Sequence, residues 1–263
     1  MNGHLTHVLR RPCTAPALAL FAALTLSACV MENDDGRGPR VAPSAQRVSA
    51  QLELAKGYIT SHELNRARGA LEHALKLQST SWEAHDLMAT VLLQDGEPLL
   101  AEKSWQTAIR YGGGARARRN YASFLMSVQR YADACPLLAA AATELEYANR
   151  PQVYEDWGTC ERLRGNDQAA AQAFNRAIEL NAKQPEAQLE LAELLFKQKE
   201  YTQSLAAYQQ YRSQVQPNPR SLWLGVRLAR AMNDVDAEAS RALLLRNQFP
   251  DSAEYRLLQE NTP

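Results

Sequence analysis

The sequence has no excess of charge of one sign and no apolar run long enough to cross a membrane. Its 263 residues carry 29 basic and 29 acidic side chains, so the formal net charge is zero. A chain without a positive excess has little attraction for a polyanion, and we therefore expect no nucleic-acid partner. The apolar stretch 15–26 is too short for a membrane-spanning helix, which needs about 20 residues.

The sequence also lacks the motifs that carry chemistry. It contains no Gly-x-Ser-x-Gly, no His-Glu-x-x-His and no Cys-x-x-Cys, and no Gly-Lys-Ser/Thr follows the three glycines at 112–114. The helical contexts of His62, His73 and His85 indicate surface or packing roles rather than metal ligands. We therefore expect a protein that is not an enzyme and has no metal, cofactor or small-molecule substrate. The glycine run is interpreted as a flexible connector.

The first 28 residues predict a secretory signal peptide that is removed. Two arginines precede the apolar stretch, and small residues end it in the run Leu26-Ser27-Ala28-Cys29. This run resembles the lipobox of bacterial lipoproteins. The resemblance implies that Cys29 becomes the first residue, that its thiol carries diacylglycerol and that its amine is acylated, with palmitate as the expected chain. A plain secreted protein with a chance cysteine is the alternative.

The residues that follow Cys29 bear on the choice of membrane and on the tether. Val30 is not the aspartate that retains a protein at the inner membrane in the lipoprotein families this chain resembles. The expected location is therefore the outer membrane, with the protein facing the periplasm. Residues 29–47 are rich in Asn, Asp, Gly, Pro and Arg and have too little apolar content to fold alone. We interpret them as a lipidated, flexible tether.

Residues 48–263 have a helix-forming composition and an internal repeat. Glycine and proline become rare, and Ala, Leu, Glu, Gln and Arg dominate. Aligning this region on itself at a period near 34 brings a small residue behind a bulky one in every unit, a pattern typical of tetratricopeptide repeats. The pairs are Leu54-Ala55, Met88-Ala89, Tyr121-Ala122, Trp157-Gly158 and Leu191-Ala192. The predicted units are 48–81, 82–114, 115–150, 151–184 and 185–218.

Further positions of the repeat have a packing reason. The small residue of each pair lies where the second helix must approach the first closely, and a small residue of the second helix faces it. Those second-helix residues are Ala67, Ala101, Ala134, Ala170 and Ser204. A sixth pair, 219–250, keeps apolar periodicity but not the spacing, as terminal repeats often do. The expected fold is all-α: a tetratricopeptide-repeat superhelix with five clear helix pairs and a degenerate sixth.

Two of the four cysteines are left to pair with each other. Cys13 leaves with the signal peptide and Cys29 takes lipid, so Cys135 and Cys160 remain in an oxidising compartment. They fall on the second helix of the third unit and the first helix of the fourth, which are neighbours in a solenoid. We predict a disulfide that joins these units. Two buried free thiols are the alternative.

In the absence of a catalytic motif, function is expected on the concave groove, which the exposed sides of the first helices line. Its mixture of apolar and charged side chains suits an amphipathic helix or an extended peptide of a protein partner. It does not match the carboxylate-clamp type of groove, which uses paired Lys and Asn, because Asn120 stands nearly alone. The candidate groove residues are Lys56, Ile59, Asp86, Leu93, Arg116, Arg119, Met126, Glu155, Arg162, Leu189, Glu193 and Phe196.

Together, the lipobox, tether, repeats and cysteine pair resemble the PilF/PilW-type pilotin family of type IV pilus biogenesis. The local runs Phe174-Asn175-Arg176-Ala177 and 245–250 add to the resemblance. It implies an outer-membrane lipoprotein that binds the secretin subunit and helps it reach the outer membrane and multimerise there. Two alternatives remain open. One is another periplasmic tetratricopeptide lipoprotein, an adaptor for β-barrel assembly or for peptidoglycan hydrolases, and the other is an enzyme with a concealed site.

Overall fold

The computed structural model describes residues 44–260, and every regular element in that range is a helix. The all-α fold class is thereby confirmed for this part of the chain. The thirteen helices are α1 (Ser44–Thr60), α2 (Leu64–Leu77), α3 (Trp82–Gln94), α4 (Pro98–Arg110), α5 (Gly114–Ser127), α6 (Tyr131–Ala142), α7 (Arg150–Leu163), α8 (Asp167–Leu180), α9 (Pro185–Lys197), α10 (Tyr201–Arg212), α11 (Pro219–Ala231), α12 (Val235–Gln248) and α13 (Ala253–Glu260).

The helices pack in consecutive pairs, α1 with α2 through α11 with α12, and successive pairs pack on one another. The predicted unit boundaries agree with the observed first helices to within one residue, except in the first unit. There the helix begins at Ser44, inside the predicted tether 29–47. Burial of Val48, Leu52 and Ala55 fixes this helix against α2 and α3, and the turn before Val48 extends it.

The two helices of each unit meet at the small residues that the repeat predicts. Ala55, Ala89, Ala122 and Ala192 are all fully buried. Gly158 takes this place in the fourth unit, where an added Cβ would lie 2.6 Å from Cε1 of Phe174. At the corresponding position of the sixth unit, Gly225, an added Cβ would collide with the hydroxyl group of Tyr208 on α10 and would lie 2.7 Å from Cδ of Arg241 on α12.

The fifth unit ends in a tyrosine where the other four regular units have alanine, and the junction that follows is different. Tyr211 is buried, and its hydroxyl accepts a hydrogen bond of 2.9 Å from Nδ2 of Asn218. Asn218 is also the N-cap of α11 and forms a reciprocal capping box with Ser221. The tyrosine therefore fixes the start of the sixth unit.

Each of the six units reverses direction through one residue with a left-handed backbone. Gly96 and Gly165 have φ of 78° and 86°, a conformation that glycine adopts without steric cost. In the other units the residue carries a side chain, with φ between 57° and 65°. Such a conformation costs a residue other than glycine about 1–2 kcal/mol. The four residues are His62, Gln129, Lys199 and Asn233.

The three glycines at 112–114 form a close junction, and their interpretation as a flexible connector is wrong. Gly112 has a left-handed φ of 91°. A Cβ added to Gly113 would lie 2.6 Å from Cβ of Ala117 and 2.9 Å from the carbonyl oxygen of Ala108. Because the backbone of the second unit approaches α5 this closely, only glycine fits between them.

The third and fourth units are covalently linked in the structure. Cys135 on α6 and Cys160 on α7 are both fully buried, and their sulfur atoms are bonded with a Cα–Cα separation of 5.6 Å. Formation of this disulfide in the cell stays a prediction. The bond joins the second helix of one unit to the first helix of the next.

Helix α13 closes the solenoid. Leu258 of α13 packs with Leu222 and Val226 of α11 and with Leu245 of α12 in a separate apolar cluster. These α11 side chains would otherwise lie on the open end of the sixth unit. None of the helices between residues 44 and 260 is both long and apolar enough to cross a membrane.

The left-handed turn predicts opposite effects for two Gly→Ala substitutions. Gly165→Ala forces a Cβ into a left-handed conformation and should lower the free energy of unfolding by about 1–2 kcal/mol. Gly69→Ala lies in the exposed interior of α2, with nothing within 4 Å of the added methyl group, and should raise it by about 0.5–1 kcal/mol. Urea denaturation of both variants measures the difference. A stabilising Gly165→Ala would contradict the assigned turn.

Removal of the cysteine pair should lower stability through the loop that the disulfide closes. The two residues are 25 apart in the sequence, and closing such a loop stabilises the native state by on the order of 3 kcal/mol. We expect the Cys135→Ala/Cys160→Ala variant to unfold at a lower temperature than the oxidised wild type. Treatment of the wild type with dithiothreitol should lower its unfolding temperature to a similar value. An unfolding temperature that does not respond to the reductant would indicate free thiols.

Candidate functional site

The face formed by the first helices carries two clefts. The first, which we call the central cleft, lies between α5 and α7 and has a volume of about 290 Å³. Its lining residues are Arg119, Asn120, Ser123, Met126, Leu138, Asp156 and Thr159. The second, the distal cleft, lies among α7, α9 and α11 and has a volume of about 590 Å³. Its lining residues are Arg162, Asp167, Glu190, Glu193, Leu194, Phe196, Lys197, Arg220 and Arg227.

An ion pair crosses the central cleft. Nε of Arg119 on α5 donates a hydrogen bond of 2.5 Å to Oδ2 of Asp156 on α7. Burial acts to lower the pKa of Arg119, but the hydrogen bond and the charge of Asp156, together with a smaller contribution from Tyr147, outweigh it and raise that pKa above its ordinary value. The predicted groove residue Arg119 is therefore placed in the cleft with its charge already compensated.

A buried carboxylate supports this cleft from below. Asp86 of α3 is 1% exposed and accepts hydrogen bonds from Nε1 of Trp105 at 3.1 Å and from Nδ2 of Asn120 at 3.0 Å. Nε of Arg116 lies 3.6 Å away. Burial raises the pKa of Asp86, although its hydrogen bonds and Arg116 act in the opposite direction. The prediction that Asp86 is exposed in the groove and contacts a partner is wrong, because its buried side chain links α3 to α4 and α5 through these hydrogen bonds.

The distal cleft contains a network of arginines and glutamates from three successive first helices. On α9, Oε2 of Glu190 lies 2.8 Å from Nε of Arg162 on α7, and Oε1 of Glu190 lies 2.9 Å from Nη1 of Arg220 on α11. The contact with Arg162 is one of charge alone, since Nε of Arg162 does not point its hydrogen at the carboxylate. Arg227 pairs with Glu193 at 2.7 Å and stacks on the ring of Phe196, 4.7 Å from its centroid.

Sequence reasoning missed the contribution of α11 to this cleft. Arg220 and Arg227 come from the degenerate sixth unit, for which the sequence predicts no groove residue. Their separation of seven residues places them on one side of the helix, and the acidic residues of α9 recur with a similar spacing at Glu186 and Glu193. This complementary pattern of charge is the signal that could have identified them.

The remaining predicted groove residues have different surroundings. Leu189 is 1% exposed and packs in the apolar cluster around α9, so its assignment to the groove surface is wrong. Helices α7, α8, α10 and α11 all pack against α9, which leaves little of its circumference free. Lys56 pairs with Glu53 on its own helix at 2.6 Å. Glu155 is half-buried; burial raises its pKa, and Nε2 of Gln152 donates to it at 2.9 Å.

The remaining predicted site residues are the apolar groove candidates and the lipidation site. Met126 lines the central cleft and Phe196 the distal cleft, whereas Ile59 and Leu93 lie in the first two units and line neither. Cys29 lies outside the described residues. Within residues 44–260, no group of three or more His, Cys, Asp or Glu side chains is arranged to hold a metal ion.

The role of Asp86 predicts a loss of stability when its carboxylate is removed. Asp86→Ala leaves the buried N–H of Trp105 without an acceptor, and we expect a decrease of about 2–3 kcal/mol in the free energy of unfolding. Glu72→Ala is the control, because Glu72 is an exposed acid on α2 and should change the value by less than about 0.5 kcal/mol. Equal effects of the two substitutions in urea denaturation would contradict a supporting role for Asp86.

Comparison with known proteins agrees with this architecture. The tetratricopeptide repeat family profile matches residues 87–152 and 161–219. The type IV pilus assembly protein PilF of Pseudomonas aeruginosa is 31% identical over 244 residues, which cover 92% of this chain and 97% of that protein.

Solved structures extend the comparison to the fold. The structure of Pseudomonas aeruginosa PilF superimposes with a TM-score of 0.74 and 31% identity, covering 83% of this chain and 99% of that one. PilW, a type IV pilus biogenesis factor, superimposes with a TM-score of 0.66 over 81% of this chain and 99% of its own, but its 22% identity supports likeness of fold alone. The chain belongs to the PilF family of tetratricopeptide-repeat proteins of type IV pilus assembly.

Proposed function

We propose that this protein is an outer-membrane pilotin that binds the secretin subunit of the type IV pilus and promotes its localisation and multimerisation in the outer membrane. The observation that carries the proposal is the similarity to a pilus assembly protein along 97% of that protein's length. A match this extensive includes the whole series of repeats rather than one common motif. It therefore favours the pilus role over that of an unrelated adaptor with the same fold.

The lipobox supports attachment to the membrane. In the proposed protein, Cys29 carries the acyl chains, and each buried methylene contributes about 0.8 kcal/mol, so that several chains together hold the protein stably. Helix α1 begins at Ser44, fifteen residues after Cys29. A chain of that length reaches at most about 50 Å when fully extended. The anchor would thus hold the repeats close to the membrane into which the secretin is inserted.

The repeats support an adaptor role in the proposed mechanism. The clefts are lined by side chains from several separate helices, a surface that suits a segment of another protein. A secretin segment held there would be kept from premature aggregation until subunits assemble. The protein acts by binding and by location, without a chemical step.

In the proposed mechanism the lipid anchor places the protein at the membrane and the repeats bind the secretin, so that loss of the anchor should affect location and not binding. Deletion of the gene should abolish secretin multimers in the outer membrane, and the wild-type gene should restore them. A Cys29→Ser variant should keep the thermal stability and secretin binding of the soluble domain and yet fail to place multimers in the outer membrane. Membrane fractionation, followed by electrophoresis of unheated secretin, measures this outcome.

The matched control for lipidation is Cys13→Ser, which changes a cysteine within the predicted signal peptide and should leave multimers unchanged. Normal multimers in the deletion strain would rule out the pilotin role. Loss of the folded domain in Cys29→Ser would contradict the separation of anchor from binding surface.

A further inference from the structure

We infer that the central cleft receives an uncharged stretch of the client chain, an extended segment whose contacting side chains are apolar or carry hydroxyl or amide groups. The inference rests on the proposed function and specifies the chemistry of the segment that is bound. It follows from which polar groups of the cleft are already engaged and which remain available.

The charged side chains of the central cleft are paired with other groups of the protein. Arg119 and Asp156 compensate each other at 2.5 Å, from opposite walls of the cleft. The amide nitrogen of Asn120 is held by Asp86, which contacts Arg116 as well. A charged side chain that entered the cleft would lose hydration without gaining a free opposite charge, and that loss is costly.

The groups that remain are small and uncharged. Ser123 on α5 is exposed and Thr159 on α7 is half-buried, so each wall of the cleft contributes one hydroxyl group. Met126 adds a flexible apolar side chain, and Leu138 of α6 lies at the base of the cleft. These groups can pair with backbone amides and with Ser, Thr, Asn or Gln side chains, and can pack against Leu or Met.

The size of the cleft limits how much of the client it takes. Its volume of about 290 Å³ lies at the lower end of the range for ligand pockets, about 300–1,000 Å³. It can therefore hold one or two side chains of a longer segment, with the rest of the segment lying across neighbouring units.

The adjoining distal cleft continues the same electrostatic pattern. Its arginines Arg162, Arg220 and Arg227 all contact Glu190 or Glu193. Its lysine is paired with Asp167. Glu155, whose carboxylate forms no ion pair within the described residues, lines neither cleft. A client segment that crosses both clefts meets few uncompensated charges.

Binding of the purified secretin subunit to the full mature protein in detergent tests this inference. We expect the Kd to stay within about threefold between about 0.1 M and about 1 M NaCl, over which the Debye length falls from about 10 Å to about 3 Å. A Ser123→Arg variant places a charge in the cleft and should weaken binding at least about tenfold, or about 1.4 kcal/mol.

The matched control is Ser240→Arg, the same change at an exposed position of α12, which should leave the Kd unchanged. Circular dichroism of each variant checks that the repeats remain folded. Undiminished binding by Ser123→Arg, or a tenfold loss at high salt, would overturn the inference while leaving the proposed function intact. Failure of the wild type to bind the secretin subunit at all would overturn both.

Discussion

The architecture depends on one steric constraint, the close approach of the two helices in each unit. That approach requires Ala or Gly at one position of the first helix, and at Gly158 even a methyl group would collide with the ring of Phe174. Because every unit obeys the constraint, successive first helices come to lie side by side. Their polar side chains then meet across the helix boundaries, and this sets the geometry of both clefts.

Ion pairs between these neighbouring first helices differ in what they contribute. Pairs between exposed side chains contribute about 0–1 kcal/mol each, whereas removal of one partner from a buried pair costs about 3–5 kcal/mol. The carboxylates of Asp86 and Glu190 are buried and each contacts groups from two or more other helices, but the arginines beside them are 35–43% exposed, so these contacts lie between the two kinds. Arg119 with Asp156 is intermediate, with 30% and 26% of the side chains exposed. Because these carboxylates are buried, the ion pairs on the face formed by the first helices help to hold neighbouring helices together.

The sequence was sufficient for the helix pairs but only partly for the candidate site, and the difference has a physical cause. A period near 34 residues and the small-residue pairs determine which residues pack inside, since these positions admit few side chains. Exposure in the groove varies even at one repeat position. Asp86, Arg119 and Leu189 are equivalent in the repeat, but Asp86 and Leu189 are buried while Arg119 reaches the cleft. The long side chain of Arg119 reaches Asp156 on α7, whereas the shorter Asp86 is bonded by Trp105 and Asn120 and Leu189 packs in the apolar cluster.

The anchor and a neutral cleft have complementary energetic roles in the proposed mechanism. A small cleft without free charges gains little from long-range attraction, so its affinity for a client segment is modest and its association is not steered electrostatically. Confinement of both proteins to one membrane compensates, because tethering raises the effective concentration, to the millimolar range for short linkers. A weak site is then occupied at the membrane and is able to release its client when secretin subunits meet. Tight, charge-driven binding would hold the subunit and oppose assembly, so a neutral cleft combined with a lipid anchor is the arrangement that permits both capture and release.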